Sequence, residues 1–72
     1  MAYKLPTGNM ILRAYSNAAQ VYIAELQNRW FTDFGQAHVA AKRIFSKYPQ
    51  VASIAFGRYQ HDGLRYFKFM RR

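Results

Sequence analysis

The chain has 72 residues, with eleven Lys and Arg against three Asp and Glu, so its formal net charge is +8. A chain of this length forms one domain that buries only about 60% of its unfolded surface, and without cysteine it has neither disulfides nor thiolate zinc ligands. Its 51% hydrophobic content argues against disorder, and no apolar run approaches the roughly 20 residues of a membrane span.

The N-terminal part of the single domain 1–72 contains an arm, a strand and a turn. Residues 1–9 include proline, glycine and asparagine, which break any periodicity, so they are expected to form a flexible, loosely attached arm. Residues 10–15 are a short apolar stretch that predicts a strand. Ser16 and Asn17 predict a turn after it.

Residues 21–31 fit two patterns. As a strand, they place Val21 and Ile23 on one side and turn before the aromatic pair that begins at Trp30. As a helix, apolar residues recur at spacings of three and four after Ser16, which would be the N-cap. The β-branched and aromatic content favours the strand, and the helix stays open as the alternative.

Residues 33–48 are predicted to form the α-helix of the domain. One face is apolar at helical spacing and carries Phe34, Ala37, Ala41, Ile44, Phe45 and Tyr48. Asp33 is the expected N-cap, with Gln36 completing a capping box, and Pro49 ends the helix. The basic residues of the outward face are Lys42, Arg43 and Lys47.

Residues 51–70 are predicted to form a β-hairpin closed by a type I′ turn at Asp62-Gly63. That turn pairs His61 with Leu64, Tyr59 with Tyr66, Gly57 with Lys68, and Phe56 with Phe69. One face then holds Ile54, Phe56, Phe67 and Phe69 against the helix. The other holds Ser53, Ala55, Gly57, Tyr59, Tyr66, Lys68, Met70 and Arg72. The predicted fold is α+β, a single small antiparallel sheet of three to four strands packed on one helix.

The sequence predicts no catalytic residue, no metal site and no cofactor. Asp33 and Asp62 are needed for the cap and the turn, so no carboxylate pair is left for acid–base chemistry. His38 and His61 lie 23 positions apart without a metal-ligand spacing. One enzymatic alternative is a small metal-independent RNase-type toxin, whose cluster on the hairpin would be Arg58, Tyr59, His61, Arg65, Tyr66 and Lys68.

The charge predicts a polyanionic partner, because a cationic surface releases counterions from phosphates on contact. An uncovered sheet face with tyrosines and cations is typical of proteins that hold single-stranded DNA or RNA. The predicted binding residues are Arg58, Tyr59, Arg65, Tyr66, Lys68 and Arg72, with Lys42, Arg43 and Lys47 as the alternative surface. Cross-strand packing of Tyr59 and Tyr66, or their burial in a homodimer, is the competing interpretation.

The stretch VYIAELQNRWFTDFGQAHVAAKRIFSKYPQVASIAFGRYQHDGLRYFKF resembles small phage-encoded inhibitor proteins, among them anti-CRISPR proteins with a compact sheet-plus-helix body. The resemblance covers about two-thirds of the chain and maps no functional residue onto it. It implies a non-enzymatic binding role in the cytoplasm of a bacterial host. It also implies an alternative partner, a host protein complex that handles nucleic acid, bound through exposed aromatics and arginines.

Overall fold

The computed structural model describes residues 9–27 and 29–72. Its elements are β1 (Met10–Tyr15), β2 (Gln20–Val21), a 3-10 turn (Ala24–Leu26), α1 (Phe34–Lys47), β3 (Ser53–Gln60) and β4 (Gly63–Arg71). The strands form one antiparallel sheet in the order β2-β1-β3-β4. The predicted α+β class and the C-terminal hairpin are therefore confirmed. The arm predicted over residues 1–9 lies, up to residue 8, outside the described residues.

The core lies between α1 and one side of the sheet, which we call the helix face. Alternate residues of β1 and β3 point to this side and are buried there, namely Met10, Leu12, Ala14, Ile54 and Phe56. Across from them α1 buries Ala37, Ala40, Ala41, Ile44 and Phe45. The small alanines allow the helix to approach the sheet closely, so a 72-residue chain assembles a core without a disulfide.

The helix begins and ends where its capping residues predict. The Asp33 carboxylate accepts a hydrogen bond from the Gln36 backbone N–H at 2.9 Å, as an N-cap does. The Gln36 side chain accepts from the Thr32 hydroxyl at 3.2 Å instead of closing a capping box on Asp33. Tyr48 is the C-cap, directly before Pro49. With 14 residues, α1 is too short to cross a membrane, and no described helix is long and apolar enough to do so.

The strand predicted over residues 21–31 is wrong beyond Val21, and so is the helix alternative. β2 covers only Gln20–Val21, and a 3-10 turn follows at Ala24–Leu26. A straight strand would place Glu25 on the same side as Ile23, because strand residues alternate. The 3-10 turn instead buries Ile23 in the core and leaves Glu25 at its surface.

Glu25 fastens the 3-10 turn to the end of α1. Its carboxylate accepts hydrogen bonds from the Tyr48 hydroxyl and from the Lys47 ammonium, the latter at 3.0 Å. The hydrogen bond from Tyr48, followed by that from Lys47, lowers the pKa of Glu25 below its ordinary value of 4.5. The same contacts raise the pKa of Tyr48 and of Lys47.

The hairpin turn lies one residue earlier than predicted. Gln60 pairs with Gly63 and Tyr59 with Leu64, so His61 and Asp62 form the loop. Gly63 is the first residue of β4 and has a φ of +122°. Only glycine adopts such a conformation without strain. Because Gly63 pairs with Gln60, it lies beside the two-residue loop and not inside it. A type I′ turn centred on Asp62-Gly63 is therefore wrong.

A β-bulge in β4 changes which residues share a face. Gly57 pairs with Tyr66 but its neighbour Phe56 pairs with Lys68, which leaves Phe67 as an extra residue. Two successive residues then point to the same side. Phe67 and Lys68 both contact Phe34 of α1 and so lie on the helix face. Met70 also lies there, packed against the core, whereas Phe69 pairs with Ala55 on the opposite side.

Gly57 is required by the packing over the hairpin. A Cβ at this position would lie 2.9 Å from Leu64 Cδ1 and 3.1 Å from two ring atoms of Tyr66. We therefore expect Gly57→Ala to destabilise the fold by about 1–3 kcal/mol, the usual cost of overpacking. Urea unfolding measures this, with exposed Ser46→Ala as the control within about 0.5 kcal/mol of wild type. Unchanged stability of Gly57→Ala would contradict the packing.

Glu25 should make stability depend on acid pH. A carboxyl with a lowered folded pKa stabilises the protein above its unfolded pKa, and this contribution is lost as pH falls through the folded value. Glu25→Gln should therefore lower Tm at pH 7, and its difference from wild type should shrink as the pH falls below 4.5 and vanish below the lowered pKa of folded Glu25. Tyr48→Phe removes the main partner and should flatten the same pH profile. A Tm difference that persists unchanged at pH 2 to 3 contradicts this role for Glu25.

Candidate nucleic-acid interface

The side of the sheet opposite α1 is called the open face, because the only helix of the described residues packs on the helix face. Strand alternation brings Ile11, Arg13 and Tyr15 of β1 to this side. The same register adds a second set from β3 and β4, namely Ser53, Ala55, Gly57, Tyr59, Leu64, Tyr66, Phe69 and Arg71.

Two neighbouring aromatic rings of the edge strand β4 are exposed on the open face. Tyr66 and Phe69 have ring centroids 6.1 Å apart, and they are 40% and 62% exposed. Tyr66 lies over Gly57, where the missing side chain lets its ring approach the sheet. Rings held in this way offer flat apolar surfaces on which bases stack.

A second aromatic pair lies on the same side, toward the hairpin loop. Tyr59 is not opposite Tyr66, as the predicted register placed it, but opposite Leu64. Its ring instead contacts Trp30, with centroids 5.1 Å apart. The backbone of Tyr59 is anchored by Asn9, whose carbonyl accepts from the Tyr59 N–H at 2.9 Å. The two predicted tyrosines therefore belong to separate aromatic pairs of one face.

Arg13 and Arg71 supply the positive charge of the open face. Arg71 is exposed opposite Ser53, next to the position of Phe69. Arg13 is half-buried, and its Nε is buried with no hydrogen-bond partner among the described residues. Burial, then a hydrogen bond with Tyr15, raises the pKa of Tyr66 above its ordinary value of 10.0, while Arg13 acts in the opposite direction. Arg13 and Tyr66 therefore share the open face.

Three of the predicted cations lie on the other side of the hairpin. The Arg58 guanidinium is 4.9 Å from the centroid of the Phe67 ring, and the Lys68 ammonium is 6.0 Å from that of Phe34. Arg65, directly opposite Arg58, pairs with Asp62 at 2.6 Å. We call Arg58, Arg65 and Lys68 the hairpin cations. They share the helix face, so the open-face position predicted for Lys68 is wrong.

Arg72 is also on the helix face and is held by the end of α1. Its guanidinium donates to the carbonyls of Val51 at 3.0 Å and Tyr48 at 2.8 Å, and lies 5.3 Å from the ring centroid of Phe45. The open-face position predicted for it is therefore wrong. The Tyr48 carbonyl also accepts from the Val51 N–H at 3.1 Å, so the arginine is a second donor to this C-cap carbonyl and links it to the Val51 carbonyl.

The alternative surface, Lys42, Arg43 and Lys47, is exposed on the outer side of α1, away from the sheet. Lys47 pairs with Glu25 at 3.0 Å. The helix and the sheet therefore separate these cations from the open face, and a single nucleic-acid strand bound on one surface does not reach the other.

The acids are kept away from the sheet. Glu25 binds Lys47 and Tyr48, Asp33 caps α1, and Asp62 pairs with Arg65 in the hairpin loop. None of the three lies in a strand. Within residues 9–27 and 29–72, no three His, Asp or Glu side chains come together as a metal site would require.

The hairpin cluster of the RNase-type alternative is divided between two sides. Tyr59 and Tyr66 lie on the open face, whereas Arg58, Arg65 and Lys68 lie on the helix face. His61 is in the loop between them. The residues that such a mechanism would combine therefore do not converge on one position.

Sequence reasoning missed three residues of the open face. Side chains alternate between the two faces along the strand predicted over residues 10–15. This alternation is enough to place the Arg13 side chain on the open face. Arg71 lies just beyond the hairpin predicted over residues 51–70, whereas β4 continues through it. A regular hairpin places Phe69 on the face that packs against the helix, as predicted. No pattern in the sequence predicts the bulge at Phe67.

No protein-family model, curated protein sequence or solved structure matches this chain. The resemblance to small phage-encoded inhibitors accordingly stays a prediction. The proposed function therefore rests on the arrangement of side chains on the open face of the sheet.

The raised pKa of Tyr66 gives a direct test of the open face. Spectrophotometric titration of the tyrosines should show a component above pH 10 to which Tyr66 and Tyr48 both contribute, and Tyr66→Phe should remove the Tyr66 part of it. Tyr15→Phe should shift the Tyr66 part downward, because it removes the hydrogen bond. Tyr22→Phe, which changes an exposed tyrosine, is the control and should leave this component in place. A Tyr15→Phe titration identical to wild type would contradict the contact.

Proposed function

We propose that this protein is a small, basic, non-enzymatic binding protein that holds single-stranded nucleic acid across the open face. The observation that carries the proposal is the pair of exposed rings, Tyr66 and Phe69, beside Arg13 and Arg71 on a sheet without an acidic residue. Bases stack on such rings, and the guanidiniums meet the phosphates between them.

Charge supports the same partner. Two of the three acids are in ion pairs, with Lys47 and with Arg65. The other eight Lys and Arg of the described residues have no acidic partner among those residues. A cationic protein of this kind attracts a polyanion at long range, and the aromatic rings then select unpaired bases. The hairpin cations extend the positive surface around the edge strand β4.

Removing a stacking ring and removing a positive charge should change binding in two different ways. Phe69→Ala should weaken binding of a labelled 12-nucleotide single strand about 5- to 150-fold, the range expected for one lost stacking contact. Fluorescence anisotropy measures the affinity, and Val39→Ala, which shortens an exposed apolar side chain on the outer helix, is the matched control. Equal affinities of the two variants would contradict stacking on Phe69.

The slope of log affinity against log salt tests the phosphate contacts. Arg71→Gln should reduce this slope by about 0.7, the value for one phosphate of a single strand. Lys42→Gln removes the same charge from the alternative surface and should leave the slope unchanged. If Lys42→Gln reduces the slope and Arg71→Gln does not, the strand lies on the helix instead.

A bacterial lysate separates this proposal from the protein-inhibitor alternative. Nucleic acid should co-purify with the tagged protein and should be lost on nuclease treatment. A stoichiometric protein partner that survives nuclease, together with no affinity for single strands by anisotropy, would overturn the proposal in favour of an inhibitor of phage type.

A further inference from the structure

A pocket of about 170 Å³ lies beside the outer edge of β1, next to the open face. Among the described residues, β1 is paired along this edge at its two ends, Ala14 and Tyr15 with β2 and Met10 with Phe31. After Val21 the chain leaves the sheet, and residues on both sides of position 28 line the pocket, namely Tyr22, Ile23, Leu26, Gln27, Arg29 and Trp30. The pocket is therefore a gap in the edge of the sheet.

The backbone of Leu12 forms one wall of the pocket. Met10 and Phe31 exchange both backbone hydrogen bonds, at 3.3 and 2.9 Å. In an antiparallel strand the peptide groups of alternate residues point the same way. The N–H and C=O of Leu12 therefore point out of this edge, toward the pocket. They offer a hydrogen-bond donor next to an acceptor. The edge of a nucleobase carries an acceptor and a donor that can pair with them.

Three aromatic side chains are also part of the pocket lining. Trp30 and Tyr59 line the pocket with their rings in contact at 5.1 Å, and Tyr22 lines it while remaining 76% exposed. Two aromatic groups beside a polar backbone edge are the elements with which proteins hold an unstacked base.

Two arginines and no acid line the pocket. The Arg29 guanidinium carbon lies 4.9 Å from the centroid of the Phe31 ring. Arg13 contributes a buried Nε without a hydrogen-bond partner among the described residues, and it also shares the open face with Tyr66. Arg13 therefore connects the pocket with the exposed rings of the open face.

We propose that this pocket receives one nucleobase of the strand bound on the open face. The inference rests on the proposed function and adds a defined subsite to it. The base lies against Trp30 and Tyr59, its polar edge meets the Leu12 backbone, and Arg13 holds the adjoining phosphate. The volume is about half the lower limit of a drug-sized pocket, roughly 300 Å³, so it suits one ring system and excludes a base pair.

The single tryptophan of the chain reports on this pocket. Two measurements follow addition of the 12-nucleotide single strand: anisotropy of its label gives overall binding, and Trp30 fluorescence gives the state of the pocket. We expect the bound strand to change Trp30 emission, to reduce its quenching by acrylamide, and to shift the Leu12 amide resonance. A 12-nucleotide strand of abasic sites keeps the phosphates and should produce none of these changes.

Tyr22→Ala removes an exposed rim side chain and leaves the core intact. It should weaken binding about fivefold, the lower limit for one aromatic–base contact, and reduce the Trp30 response, whereas Ser46→Ala on the outer side of α1 should change neither. Binding by anisotropy without a response of Trp30 and Leu12 overturns the subsite and leaves the proposed function standing. A full Trp30 response to the abasic strand also overturns it. Absence of binding by anisotropy overturns both.

Discussion

The approach of Tyr66 and Leu64 to Gly57 is the constraint on which the surface of this protein depends. A Cβ at this position would meet Leu64 Cδ1 at 2.9 Å and the Tyr66 ring at 3.1 Å, so both side chains would have to move away from β3. On one side of this contact lies the hairpin loop with Gly63, and on the other the bulge at Phe67. Together they decide which side chains of β4 face the helix and which face solvent.

The bulge decides which aromatic and cationic side chains of β4 lie on each face of the sheet. Without it, Lys68 would lie on the open face and Phe69 on the helix face. With it, Phe67 completes the aromatic contacts of Phe34 and Phe56 under the hairpin, while Phe69 is left beside Tyr66. The edge strand β4 therefore carries the exposed rings of Tyr66 and Phe69 on the open face. It carries the cations Arg65 and Lys68 on the helix face.

The few acids of the chain have structural positions, and this leaves the positive charge available. Glu25 fastens the 3-10 turn to the end of α1, Asp33 caps the helix, and Asp62 meets Arg65 in the loop. Arg72 takes a structural role as well, on the carbonyls of Tyr48 and Val51. The open face combines Arg13 and Arg71 with exposed rings, and the proposed binding of a single strand rests on this combination.

Local patterns in the sequence were enough to identify the helix of residues 33–48, the strand of residues 10–15 and the existence of the hairpin. Each depends on neighbours in the chain: helical periodicity, the Asp33 cap, strand alternation and a glycine at the turn. The path after Val21, the bulge at Phe67 and the position of Arg72 came only with the tertiary structure. They depend on contacts with residues distant in sequence, such as Tyr48 for Glu25, Gly57 for Tyr66 and Phe34 for Lys68. Spacing along one segment carries no information about those partners.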